Sequence, residues 1–360
     1  MVKRILSCLL LSLLFLPLIA KQKQAEEEFR LVHSDKLFMT KMENEQALEL
    51  NGNVHFFYGN TEFLCRNALI LDKQKIARLA GNVIVKNDSL TLEADTLAYY
   101  RIPDLMNLGG RITATEKTKE GVYRWLKSSF ASYDKKNQII TAWNNVRGFD
   151  YQENARVKCG YAQWDRGNGY ALMLDEPFLT SGTEDTLSVA AEKMEYFAPE
   201  RKLIATFNVR VDRGEFNATS AFLIYFLESE KAIFTGEPKF VSDFADAVAR
   251  EFHLYLKERK LAKAELIDSC HIDFAEERFS PKKNKVDADL VTMDFQDEQL
   301  RKFTAEGKVG YFYQQDETEK KDFMANSATG LYLQANFNEE SKLQNMQMRT
   351  DINGKYVFKK

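Results

Sequence analysis

Histidine, cysteine and carboxylate side chains could do chemistry in this sequence, and their spacing argues against most of it. A metalloprotease would need the His-Glu-x-x-His motif, and many serine hydrolases carry Gly-x-Ser-x-Gly. Neither motif occurs, and His33, His55, His253 and His271 have no metal-ligand spacing. We therefore expect no catalytic residue, no metal site and no cofactor.

Three cysteines follow the first 20 residues, namely Cys65, Cys159 and Cys270. An odd number of cysteines without Cys-x-x-Cys pairing is not a disulfide framework. All three lie in alternating strand patterns, so we interpret them as buried small apolar residues. A single long-range disulfide is the alternative.

Asp95, Glu192 and Asp289 stand at the same point of a recurring sequence unit. A glycosidase needs two carboxylates at one defined separation, and recurrence along a chain does not provide that. Repeated placement favours a structural role in turn or ladder hydrogen bonds. A β-solenoid carbohydrate enzyme is the alternative.

Large apolar residues alternate with other residues in strands that follow recurring turns. Alternate residues of a strand point to one side of its sheet, so stacked strands would join them into an apolar strip. The strip would form either a dry core or a groove for acyl chains, and a register slip of one residue would exchange its faces. The predicted lining residues are Val54, Phe56, Val83, Val85, Leu97, Tyr99, Ile112, Val209, Val211, Ile272, Phe274, Val309 and Tyr311.

The element that positions this strip is a repeated turn and strand. It reads Gly52-Asn53-Val54, then Gly81-Asn82-Val83 and Gly110-Arg111-Ile112, with a period of 29 residues. A fixed period of this size is typical of stacked units that share one core. About two strands per repeat predict an all-β, elongated solenoid on the order of 50–70 Å long.

One segment, residues 240–266, lacks glycine and proline and could be a helical insertion. Its residues 252–256 alternate between apolar and other side chains, which favours strands.

The N-terminus is typical of a secretory signal peptide. Lys3 and Arg4 precede a short apolar run that ends before Ala20, and this run is shorter than the roughly 20 residues of a membrane span. We predict a cleaved signal at 1–20, with an uncleaved anchor as the alternative. A flexible segment follows at 21–31, then a first half of the repeats at 32–180 and a second at 181–360.

The charge of the chain gives no indication of a nucleic-acid partner, and we expect none. Removal of Lys3 and Arg4 would change the formal net charge from −3 to −5, whereas nucleic-acid-binding domains carry a basic surface.

The order of these motifs resembles the OstA-like family, the LptA-type periplasmic bridge proteins of lipopolysaccharide transport. The resemblance rests on Leu48–Val54, Gly81–Val85 and the Ala94-Asp95-x-Leu97-x-Tyr99 strand, and it is clearest over residues 32–150. It implies an antiparallel β-jellyroll, or β-taco, that is V-shaped in section. Acyl chains of lipopolysaccharide would lie inside, and sugars and phosphates outside.

The resemblance further implies function and partners. The chain would carry lipopolysaccharide from the inner to the outer membrane in the periplasm of a Gram-negative bacterium. It would join other jellyroll proteins, or copies of itself head to tail, by pairing of edge strands. The alternative is an exported structural or adhesive solenoid with a dry core that binds a protein or polysaccharide.

Two further expectations concern the outside of the molecule and its length. Five basic residues near the rim could meet lipid phosphates, namely Lys86, Arg111, Lys117, Arg147 and Arg210. The chain is about twice as long as the minimal bridge protein that it resembles. It would therefore be a long bridge, a fused pair of jellyrolls or a divergent paralogue.

Overall fold

The computed structural model describes residues 28–117, 121, 123–182, 187–214, 216–275, 280–314, 323–339 and 342–359. These residues form 26 strands with antiparallel pairing and no helix, which confirms the predicted all-β class. The predicted signal peptide lies outside the described residues. No helix that could cross a membrane occurs within these ranges.

In chain order the strands are β1 (Phe29–His33), β2 (Lys36–Met42), β3 (Glu45–Tyr58), β4 (Thr61–Leu71), β5 (Ile76–Asn87), β6 (Leu90–Tyr100), β7 (Leu105–Lys117), β8 (Tyr123–Asp134), β9 (Ile139–Asp150), β10 (Ala155–Asp165), β11 (Tyr170–Leu174), β12 (Phe178–Ser181), β13 (Leu187–Ala190), β14 (Lys193–Phe197), β15 (Lys202–Arg213), β16 (Phe216–Phe226), β17 (Lys231–Thr235), β18 (Lys239–Val241), β19 (Ala245–Val248), β20 (Glu251–Lys257), β21 (Lys260–Phe274), β22 (Asn284–Gln296), β23 (Gln299–Gln314), β24 (Phe323–Phe337), β25 (Leu343–Arg349) and β26 (Asn353–Lys359).

Each long strand is a bent rung of one continuous ladder. In β3, residues 47–51 pair with one half of β4 and residues 54–58 pair with the other half, with a break in register between them. The same break recurs in the following pairs, for example β5 with β6 and β8 with β9. The two halves of every rung therefore belong to two different walls that meet at a corner.

We call wall 1 the half that contains residues 45–51 of β3, and wall 2 the half that contains residues 54–58. Side chains of both walls, from Leu50 to Leu333, belong to one cluster of buried apolar residues. The walls therefore face each other across a shared interior, as the predicted V-shaped section requires. Rim 1 and rim 2 are the rows of turns at the free ends of wall 1 and wall 2.

The corner is made by residues with positive φ. Gly52 and Asn53 have φ of 78° and 46°, and Gly81 and Asn82 have 79° and 51°. Glycine adopts this left-handed region at little cost and asparagine tolerates it, which explains the recurring Gly-Asn pair. A Cβ on Gly52 would lie 2.2 Å from the Asp35 carboxylate, so the corner also needs glycine for space.

Interior residues next to the corner alternate between branched and small side chains. Val54 is paired with Cys65, Val83 with Ala94, Ile112 with Ser128, Val146 with Cys159 and Val209 with Ser220. A branched residue beside a small one fills the narrow end of the V without a clash. This row explains why small residues recur before the carboxylates noted in the sequence.

The ladder is longer than the sequence analysis predicted. Six of its rungs consist of two shorter strands, such as β11 with β12, so the 26 strands make 20 rungs. At about 4.8 Å between paired strands the ladder is about 90 Å long. The expected length of 50–70 Å was too short because it assumed too few rungs for the number of repeats.

One segment was left open in the sequence analysis between a helical insertion and strands, and it forms strands. Residues 240–266 contribute to β18, β19, β20 and β21. The predicted boundary at residue 180 falls inside β12, which stays in the ladder because it pairs with β10 and β13. The division into halves at 180 remains a prediction. β1 begins at Phe29, within the segment 21–31.

Candidate functional site: the interior and its rims

The interior surface contains every predicted lining residue. Val211 and Phe274 are partly buried against the core, and the other predicted residues are buried. The structure thus brings the thirteen side chains of the prediction into one strip, from Val54 near the N-terminal end to Tyr311 near the other. Their contact with lipid remains a prediction.

The interior is packed. Leu50, Phe63, Met106 and Met194 are 0 % exposed, so the side chains of the two walls occupy the space between them. A depression of about 280 Å³ lies elsewhere, at the corner of β23 and β24 beside Lys308, Gly310 and Gly330. In this closed state, a ligand would fit between the walls only after the walls separate.

An aromatic cluster fills the interior at the N-terminal end. Phe56 stacks on Phe63 with ring centroids 4.9 Å apart, and Phe63 stacks on Tyr99 of wall 1 at 5.7 Å. Phe29 lies 5.3 Å from Phe56, and Tyr58 meets the edge of Tyr99 at 5.8 Å. Aromatic pairs in such geometries are favourable beyond the area that they bury. The cluster therefore ties the two walls together.

A buried ion pair crosses the mouth of the V. Arg166 lies in a turn of rim 1, and its guanidinium donates to Glu116 at rim 2 with an Nε–Oε1 distance of 2.8 Å. It also donates to Ser89 of rim 2 at 2.9 Å and to the hydroxyl of Tyr133 at 3.4 Å. The Arg166 and Glu116 side chains are only 10 % and 14 % exposed. Charge-assisted hydrogen bonds of this kind are stronger than neutral ones.

Similar pairs join the rims further along the ladder. Arg201 of rim 1 contacts Glu153 of rim 2 at 2.9 Å, and Arg213 of wall 2 contacts Glu298 of rim 1 at 2.9 Å. Burial raises the pKa of the Glu153 carboxyl, against the opposing effect of Arg201. We call the pairs Arg166–Glu116, Arg201–Glu153 and Arg213–Glu298 the rim clasp. It holds the two walls closed at the side opposite the corner.

The rim clasp was missed in the sequence. Two of its arginines stand in turns that follow strand ends, at Asp165-Arg166 and Glu200-Arg201, whereas Arg213 is the last residue of β15. An arginine repeated in rim turns was the available signal. Its partners could not be found without the twist of the ladder, because Arg166 and Glu116 are 50 residues apart in sequence.

Comparison with known protein families gives a match for the N-terminal part of the chain. Residues 26–123 match the family model of OstA-like proteins. This region is OstA-like. The predicted resemblance is confirmed. The matched residues include the Gly-Asn corners on which the resemblance was based. No curated protein matches the chain.

The OstA-like region holds the aromatic cluster and one side of the first rim clasp. It contributes seven of the predicted lining residues, from Val54 to Ile112. It also contributes Glu116 and Ser89, whereas Arg166 lies beyond residue 123. The first clasp therefore connects the OstA-like region with the rest of the ladder.

The three cysteines are free and buried, as their strand patterns indicated. Burial raises the pKa of the Cys65 thiol to about 12 and those of Cys159 and Cys270 to about 11. The thiolate is the reactive form of cysteine, so these thiols are unreactive while the walls are closed.

Two of the three recurring carboxylates, Asp95 and Glu192, accept hydrogen bonds at turns, as the sequence indicated. Asp95 accepts hydrogen bonds from the backbone N–H and the guanidinium of Arg111 at the corner. These bonds lower the pKa of Asp95. Glu192 accepts from the side-chain amide of Asn208, again at a corner. Among the described residues, no group of three or more His, Cys, Asp and Glu side chains could hold a metal ion.

The five basic residues of the sequence analysis do not share a rim. Lys86 pairs with Glu62 at 3.2 Å, and Arg111 pairs with Asp95 at the corner. Arg147 and Arg210 are exposed on wall 2, one residue beyond the interior Val146 and Val209 of the corner. A common phosphate site at the rim is therefore not formed by this set.

His271 gives the second half of the ladder a pH dependence. Its Nδ1 lies 2.6 Å from Asp287, and its Nε2 lies 3.2 Å from Asp273. The hydrogen bond with Asp287 first, and then that with Asp273, raise the pKa of His271 above 6.5. A raised histidine pKa stabilises the fold below pH 6.5, and this stabilisation is lost as the pH rises through the folded pKa.

We therefore expect His271→Asn to lower the unfolding midpoint at pH 6 and to have less effect at pH 9. The difference should be under about 1 kcal/mol because the groups are partly exposed. Urea denaturation at both pH values measures it. An equal loss at pH 6 and pH 9 would assign the effect to packing alone.

Proposed function

We propose that this protein is a periplasmic lipid-binding bridge that carries lipopolysaccharide from the inner to the outer membrane. Acyl chains would lie between wall 1 and wall 2. The observation that carries the proposal is the single apolar interior that runs from Leu50 to Leu333. The OstA-like match supports a lipid-transport type of domain, a periplasmic location and a non-enzymatic role.

Such a bridge would be passive, because it would only lower the cost of moving acyl chains through water. Exposure of an acyl chain to water costs about 0.8 kcal/mol for each CH₂ group. An apolar interior that accepts the chain at any point along the ladder removes most of this cost throughout the transfer. Direction would come from an energy source outside this chain.

Uptake of acyl chains requires the walls to separate. Wall-to-wall apolar contacts would be replaced by wall-to-acyl contacts, so the apolar area in water would change little. The rim clasp would have to open, whereas the backbone ladder at the corner would stay intact. The proposed cycle is thus a change of the angle between the walls.

The ends of the ladder are the proposed contacts with other jellyroll proteins or further copies. β1 and β2 form one end, and β25 and β26 the other, each with one edge that is unpaired among the described strands. Phe38, Met39, Tyr356 and Phe358 are between 55 % and 69 % exposed at these ends. An unpaired edge with apolar side chains favours strand addition.

Site-specific photocrosslinking in cells of the native host tests the proposal. A photoreactive residue at Phe56, Val85, Val211 or Tyr311 should give an adduct of lipopolysaccharide size. His55 and Arg210 are matched controls because they neighbour interior positions but lie on the other face of the same strands. Adducts at the interior positions alone would support the bridge.

The second candidate is a structural or adhesive solenoid with a dry core. Its support is the close packing of the interior, where residues such as Leu50 and Met194 are fully buried. The same experiment separates the two functions. Absence of lipid adducts at all four interior positions would contradict the bridge and favour the dry core.

A further inference from the structure

Wall 2 carries a row of three cations on its outer face. Lys127 of β8 is directly opposite Arg147 of β9, and Arg147 is directly opposite Lys158 of β10. All three side chains are exposed. Since paired strands are about 4.8 Å apart, the row is about 10 Å long.

Like charges directly opposite each other destabilise a sheet, and this row has no compensating carboxylate. No ion pair involves Lys127, Arg147 or Lys158 within the described part of the chain. The nearest carboxylate in the same cross-strand row is Glu93, which is two strands from Lys127. The row therefore has the positive charge, at close spacing, that an anionic ligand would neutralise.

A second row, of two aromatic residues and an arginine, lies beside the cations towards rim 2. Trp125, Phe149 and Arg156 are cross-strand neighbours. The Lys127 ammonium lies 5.1 Å from the Trp125 ring centroid, and the Arg156 guanidinium lies 4.9 Å from that of Phe149. Cation–π contacts of this kind orient the charged groups. The cations are thus held over the sheet before any ligand binds.

We propose that this outer patch, defined as Lys127, Arg147, Lys158, Trp125, Phe149 and Arg156, binds a phosphorylated saccharide. Three cations on adjacent paired strands suit an extended anion with several charges. Tyr151, which is 56 % exposed and 4.6 Å from Phe149, offers an amphipathic ring for the sugar.

A single-stranded nucleic acid fits the patch less well. Such a ligand needs open aromatic faces on which its bases stack. One face each of Trp125 and Phe149 is covered by Lys127 and Arg156. The patch therefore favours recognition by charge over recognition by stacking.

The choice of a saccharide as ligand rests on the proposed function, whereas the patch itself follows from the strand register and the cation–π contacts outside the interior. Isothermal titration calorimetry at low ionic strength tests it with the full chain. The probe is de-acylated lipopolysaccharide saccharide with its phosphates, compared with the same saccharide after phosphatase treatment. Oligo(dT) is the competing anion.

The key variant combines Lys127→Gln, Arg147→Gln and Lys158→Gln. The matched control combines Lys36→Gln, Arg78→Gln and Lys257→Gln, which removes the same charge from exposed positions outside the patch. We expect the key variant to bind the phosphorylated saccharide about tenfold more weakly, and the control to bind it like the wild type. Thermal stability of the key variant should not fall, because mutually repelling charges are removed.

Three results would overturn the inference: unchanged affinity in the key variant, an equal loss in the control, or tighter binding of oligo(dT) than of the saccharide. Because the probe has no acyl chains, these results leave the bridge untouched. The crosslinks at interior positions report on the bridge alone.

Discussion

Phe63→Ala is expected to lower the free energy of unfolding by about 3–5 kcal/mol, which is the usual cost of removing a buried phenylalanine. Phe63 is 0 % exposed. It stacks between Phe56 of wall 2 and Tyr99 of wall 1, so its removal would create a cavity where the walls meet. Urea denaturation, followed by circular dichroism, measures the change.

The matched control is Phe130→Ala. Phe130 stacks on Trp143 with centroids 6.1 Å apart, but it is 44 % exposed. We expect a loss of about 1 kcal/mol or less from this stacked pair. A similarly small loss for Phe63→Ala would show that the walls do not pack at the aromatic cluster and that the interior there is open.

Neutralisation of the first rim clasp is expected to open the walls locally. The variant combines Arg166→Gln with Glu116→Gln, so that neither charge is left buried without its partner. Hydrogen bonds to charged groups contribute about 1.5–3 kcal/mol each. Loss of one such hydrogen bond should raise the fraction of molecules with separated walls about tenfold to a hundredfold.

The native cysteines report this opening. Cys159 lies in β10, the strand that ends beside Arg166, and burial keeps its pKa at about 11. We expect iodoacetamide to label Cys159 about tenfold to a hundredfold faster in the variant. Cys270, in β21, is the internal control and should keep its rate. Peptide mass spectrometry assigns each label.

A second control separates the clasp from a general effect of charge. Arg111→Gln with Asp95→Asn removes an ion pair of 2.9 Å at the exposed corner and should leave Cys159 unreactive. Equal acceleration of Cys159 and Cys270 in the clasp variant would indicate global destabilisation. Unchanged labelling of both would show that the clasp does not hold the mouth closed.

The sequence predicted the fold because the corner has a local signature. Gly-Asn pairs mark positive φ, and alternation after each pair identifies the interior face. The corners at Asn144-Asn145, Phe207-Asn208 and Asp268-Ser269 also have positive φ, but they contain no glycine. Non-glycine residues in this conformation leave no reliable pattern in the sequence, so the corners at Phe207-Asn208 and Asp268-Ser269 were indicated only by the apolar alternation that follows them, from Val209 and from Ile272.

Only part of the candidate site could be predicted from the sequence. The direction of its side chains could be predicted, but the packing between the walls could not. The inward direction of Val54, Val85 and Tyr311 follows from the period of a strand. The closed state of the interior does not, since it depends on how side-chain volumes of two walls fill one space. The outer patch likewise depends on register, which places Arg147 opposite both Lys127 and Lys158.

The rim clasp also bears on how the molecule folds. In a ladder, each rung contacts its neighbours, and stability is then a sum of local terms with weak cooperativity over distance. Arg166 contacts Ser89 across 77 residues, and Arg259 contacts the backbone of Glu153 across 106. These long-range links would join distant rungs into larger cooperative units, which would unfold as blocks and resist fraying from the ends.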